Sequence, residues 1–109
     1  LDKIELDNVT DQQKKLFENS LLYIKAGRMD KAEQLLQDLL DQLNGKSYVV
    51  AYAFGVVNEA QGKYVEAKKI YAMADNLTIE PVDEINAAVT RIDQLISKRE
   101  QAKKQMNAK

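Results

Sequence analysis

At 109 residues, with 16 Lys and Arg against 17 Asp and Glu, the chain is nearly neutral and long enough for one modest core. It contains neither histidine nor cysteine. That excludes disulfides, Ser-His and Cys-His nucleophile pairs and the usual zinc ligand sets. No run is long and apolar enough to cross a bilayer as a helix, and alanine, leucine, glutamine, lysine and glutamate dominate, which predicts an all-α fold.

Residues 1–10 read as a lead-in. Ile4 and Leu6 alternate with Lys3, Glu5 and Asp7, a weak extended pattern. Thr10 with Gln13 three positions on predicts a capping box and a helix over Asp11–Ala26, ended by Gly27. Asp30 with Glu33 predicts a second capping box. The helix it opens carries Ala32, Leu35, Leu36, Leu39, Leu40 and Leu43 and stops at Asn44-Gly45. Ser47 is the expected cap of a third helix, Tyr48–Gln61, ended by Gly62. A fourth covers Val65–Asn76. Glu80-Pro81-Val82-Asp83-Glu84 opens the last helix, with proline at its first position and acids in its first turn, suited to the helix dipole. Its stripe of Ile85, Val89, Ile92 and Ile96 ends where the basic tail, 97–109, begins. Five cations there face Glu100 alone, a net of +4 against −5 for residues 1–96. No aromatic interleaves them, so the tail reads as a helical or fraying solvated end, dispensable for the fold, and not as a nucleic-acid site.

The helices carry an internal repeat. A shift of thirty-five positions pairs Ser20 with Gly55, Gly27 with Gly62, Arg28 with Lys63, Ala32 with Ala67 and Leu36 with Tyr71. Small matches small and bulk matches bulk, with Gly55 placed where two helices meet. The better copy has Gly55, Gly62, Tyr64, Ala67, Tyr71 and Ala74. The weaker has Leu16, Ser20, Tyr23, Gly27, Ala32 and Leu36.

This pattern resembles the tetratricopeptide repeat, whose period is about 34 residues. It departs at Ala51 and Asn58, where the family often has aromatics, and at Pro81, which comes late. The resemblance implies antiparallel helical hairpins stacked as a right-handed solenoid, with repeats at about 13–46 and 48–79. A capping helix would follow at about 82–96, completing a domain over 11–96. In that family the first helix of each hairpin lines a concave face, where members that grip a C-terminal carboxylate carry lysine and asparagine. The matching positions here are Phe17, Leu21, Tyr52 and Val56. They are apolar, so the carboxylate clamp is absent. They belong either to the core, to a lid formed by Ile4–Leu6, or to a contact with another polypeptide, a second copy or the rest of a longer chain.

No catalytic constellation emerges. Asp38 with Asp41, or Asp83 with Glu84, are ordinary helix-surface carboxylates. Gly27, Gly45, Gly55 and Gly62 are too dispersed for a phosphate loop. The expected function is therefore a non-enzymatic protein-binding module needing no cofactor or metal, with a structural or dimerising appendage as the alternative. The chain opens on Leu1 and reads as a piece of a longer or processed protein. Its compartment stays open between a cytoplasm and a bacterial periplasm or cell envelope.

Overall fold

A computed structural model of the chain describes residues 9–107. They form five α-helices: α1 Asp11–Lys25, α2 Met29–Gln42, α3 Tyr48–Ala60, α4 Tyr64–Asn76 and α5 Asp83–Asn107. The lead-in expected at 1–10 lies outside the described residues except for Val9 and Thr10. Each helix packs chiefly on the helices before and after it in the chain. The pairs run antiparallel. Gln13 at the start of α1 donates to Gln42 at the end of α2 (3.3 Å), and Lys68 of α4 meets Asp93 of α5 at 2.8 Å.

The turns explain why the helices stop where they do. Gly27 and Gly62 follow α1 and α3 with φ of 76° and 79°, the left-handed region that costs glycine nothing. Arg28 N–H reaches the Tyr23 carbonyl (2.8 Å), and Gly27 N–H reaches Ile24 (3.0 Å). Thirty-five residues later Lys63 N–H reaches Asn58 (3.0 Å), and Gly62 N–H reaches Glu59 (2.9 Å). Both are the paired 6→1 and 5→2 bonds of a Schellman cap. The sequence repeat is thus a repeat of backbone geometry. The turn after α2 uses the same device with Asn44 in the left-handed position, φ 57°.

At the N-termini the sequence signals hold in part. Thr10 and Gln13 make the reciprocal capping box at 3.1 Å each way, and Ser47 Oγ accepts from Val50 N–H at 3.2 Å. The expected box at Asp30 and Glu33 does not form. The Schellman turn brings the chain straight into helix at Met29, leaving Asp30 inside the first turn, where it meets Arg28 at 3.7 Å. Glu33 instead turns to Lys63 at 3.0 Å. Pro81 sits two residues ahead of α5 and not within its first turn.

The core joins Ala32, Leu36, Leu39 and Leu40 of α2 to Val50, Ala53 and Val57 of α3. It continues through Ala67, Tyr71 and Ala74 of α4 to Ile85, Ala88 and Ile92 of α5. Its tightest point is Gly55. A methyl group built there would lie 2.5 Å and 2.6 Å from two ring carbons of Tyr71. The equivalent pair in the first hairpin is Ser20 and Leu36, both fully buried. Ser20 satisfies its hydroxyl on the Phe17 carbonyl at 2.6 Å.

The tail continues α5 without a break to Asn107. Arg99 holds it to the body. Its guanidinium lies 4.0 Å from the centroid of the Tyr64 ring and donates to the Gly62 carbonyl at 2.8 Å. This contact escapes a reading that follows apolar spacing alone.

Two measurements check these contacts. Gly55→Ser is expected to lower stability by about 1–3 kcal/mol through overpacking. In a Tyr71→Leu background, which restores the small–branched pair of the first hairpin, the loss should shrink by at least about 1 kcal/mol. Additive losses in denaturant titration would place the two side chains out of contact. Ending the chain at Ser97 is expected to lower the melting temperature by about 4–8 °C, because it removes Arg99, whereas removing only Lys103–Lys109 should leave it within about a degree. Equal effects of the two truncations would detach Arg99 from the turn.

Candidate interaction surface

The four apolar positions proposed to line one face divide in the structure. Phe17 and Tyr52 are buried, at 5% and 8% exposure, while Leu21 and Val56 are half-buried against the core. They do not make an exposed patch of four. The reason lies in α3. Val49, Val50, Ala51, Tyr52, Ala53, Gly55, Val57 and Asn58 are all buried on it, so it has no solvent face broad enough to leave Tyr52 outside. A helix apolar all round is an interior helix. The Tyr52 ring packs against Tyr71, centroids 5.9 Å apart and planes tilted by 37°.

Beside these rings lies the most connected polar cluster among the described residues. Tyr71 donates its phenol proton to Glu59 Oε1 at 2.8 Å. Arg91 of α5 grips the same carboxylate with two hydrogen bonds, Nε to Oε2 and Nη2 to Oε1, each 2.8 Å. One carboxylate thus joins α3, α4 and α5. The arginine bonds hold the Glu59 carboxyl below its ordinary range, against the opposing effect of burial. The Glu59 bond in turn raises Arg91. Burial, then the bond to Glu59, pushes the Tyr71 phenol up, and burial does the same to Tyr52. Every group is held in its resting protonation state near neutrality, and the two tyrosines lie out of water. The arrangement is that of a structural tether, poorly suited to proton transfer. No group of histidine, cysteine, aspartate or glutamate among the described residues could hold a metal ion. No described helix is long and apolar enough to cross a membrane.

The apolar surface that does face water lies elsewhere. Asn19, Leu22, Tyr23 and Ala26 of α1, with Leu35 of α2, line a shallow groove on the outer side of the first hairpin. Leu22 is 62% exposed and Tyr23 38%. Thirty-five residues on, Val57 is fully buried and Asn58 is 4% exposed. The signal was present in the sequence. Leu22 and Ala26, one turn apart beside Tyr23, share a helix face that no other described helix buries. Among the described residues, the other exposed large apolar side chains, Val65, Ile79 and Met106, stand on separate segments.

The tether has a pH signature. A carboxyl depressed in the folded state adds stability that is fully present above its unfolded pKa, roughly 4.3, and is lost as pH falls through the folded value. Glu59→Gln is therefore expected to cost about 1–2 kcal/mol at neutral pH in urea unfolding, with the difference from wild type shrinking as the pH is lowered below about 4. A deficit independent of pH would assign the loss to shape and not to charge. No family model matches the chain, and searches of curated proteins and of solved structures return no match.

Proposed function

We propose that this chain is a tetratricopeptide-like helical-repeat module that binds another polypeptide and does not catalyse a reaction. Support for the repeat reading comes from the Schellman turns at Gly27 and Gly62, the buried Ala32 and Ala67, and the small–large pairs Ser20–Leu36 and Gly55–Tyr71. A stacked, right-handed arrangement of hairpins closed by α5 accommodates all of them.

The observation that carries the binding reading is the open groove of Leu22, Tyr23 and Leu35. Apolar side chains clustered at a surface whose counterparts are covered within the same chain mark a contact site. The docking surface thereby moves from the face of Phe17, Leu21, Tyr52 and Val56 to the outer face of the first hairpin. Tyr23 is its aromatic anchor.

Selection of random peptides displayed on phage against the full chain, with counter-selection on a Leu22→Asp variant, tests this. Leu22 is exposed, so the variant is expected to fold, as circular dichroism would verify. Enriched peptides that bind wild type at least about tenfold more tightly than the variant are expected. Failure to enrich any, or enrichment of peptides indifferent to Leu22, would remove the groove as a polypeptide site.

A further inference from the structure

We infer that the groove takes a short amphipathic helix of another polypeptide, about two turns long, presenting an apolar side chain to Leu22 and a carboxylate to Arg28. This rests on the polypeptide-binding reading above and gives the partner its chemistry.

The inference comes from comparing α1, α3 and α5 at intervals of thirty-five residues. On α3, Val50, Ala53 and Val57 are fully buried, and on α5 so are Ile85, Ala88 and Ile92. Val57 is two residues from Gly55, about 200° around the helix, so it faces away from α4 and toward α2. The counterparts on α1 are Lys15, Glu18 and Leu22, all exposed. A helix laid along the whole of α1, as α2 lies along α3, would bury Lys15 and Glu18, which is costly for charges without partners. One covering only the second half of α1 would bury Leu22 and Tyr23 and leave both charges in water. That sets the length at about two turns.

The existing interface also supplies the charge. The antiparallel course of α2 brings its N-terminal turns to the end of α3, where Glu33 pairs with Lys63 at 3.0 Å. The counterpart of Lys63 is Arg28. Its side chain is 56% exposed, and its described partner Asp30 stands 3.7 Å off at 69% exposure, a loose surface pair. An incoming carboxylate in the place of Glu33 meets that guanidinium. The α2 of a folded second copy does not offer such a helix. The apolar residues of its α2, Leu36, Leu39 and Leu40, are in its own core, and the outer face presents Gln34, Gln37 and Asp38.

The probe is a synthetic peptide with the sequence of residues 31–38, about two turns long, held helical by a hydrocarbon staple replacing the outward side chains at 34 and 38. It is titrated into the 15N-labelled full chain. Saturable shifts confined to the amides of 19–26 and Leu35 are expected, with Kd below about 1 mM. Leu22→Asp should weaken binding at least about tenfold. Arg28→Glu should weaken it about threefold and recover it with a peptide carrying Glu33→Lys. No saturable shift, binding indifferent to Leu22→Asp, or charge reversal without recovery would overturn the inference. So would sedimentation showing a dimer of the chain that Leu22→Asp dissolves, which would seat a second copy on the face. If phage-selected peptides occupy the groove in extended form while the stapled helix does not bind, the helical partner fails and the binding reading stands. If neither binds, both fail.

Discussion

The packing of the Tyr71 ring against the bare Cα of Gly55 sets the geometry of everything C-terminal to α2. With no side chain at Gly55, α3 and α4 approach closely enough to bury an entire tyrosine. Burial of that phenol then requires an acceptor, since an unpaired buried hydroxyl costs about 1–3 kcal/mol. Glu59, one turn further along α3, supplies it. A half-buried carboxylate in turn requires a cation, and Arg91 supplies that from α5. A steric fact about one glycine is thereby followed by the docking of a helix thirty-six residues away. The first hairpin, with Ser20 and Leu36 at the equivalent positions, has no phenol to satisfy and carries no such tether.

The local framework was legible in the sequence, but the Glu59–Arg91 tether was not, because its partners lie thirty-two residues apart. The thirty-five-residue period, the glycine stops and the Thr10–Gln13 box are local signals, set by backbone conformation and short-range hydrogen bonds, and they survive tertiary context. What failed did so for tertiary reasons. Asp30 and Glu33 have capping-box spacing, but the preceding Schellman turn had already fixed where the helix begins. Arg99 reads as one cation in a basic run because its partners, Tyr64 and Gly62, are remote in sequence. Phe17 and Tyr52 fall on a helix face that a repeat alignment can assign equally well to a groove or to a core. The deciding clue was the lack of a polar face on α3, which outweighs the alignment.

The outer face of α1 shows how one periodic framework carries two kinds of surface. Lys15 and Glu18 stand where valine, isoleucine and alanine are buried in the later helices, and they keep that half of the face solvated. Leu22 and Tyr23 keep the apolar character of the period. The positions buried on α3 and α5 are packed against neighbouring helices and so constrained to apolar residues, whereas Lys15 and Glu18 of α1 face solvent and are not. The polar substitution covers only the first half of that face of α1.

That each helix packs chiefly on its chain neighbours has a kinetic consequence. Loop closures between partners are short, so little chain entropy is lost before contacts compensate for it, and chains of this topology fold in microseconds to milliseconds. Coupling between neighbours also makes loss of order directional. The first hairpin lacks both the buried tyrosine and the three-helix carboxylate tether, so unfolding is expected to enter at α1 and α2 and to proceed toward α5. A ligand held on the first hairpin would then act at the weakest point of the described helices, and its binding would oppose their opening.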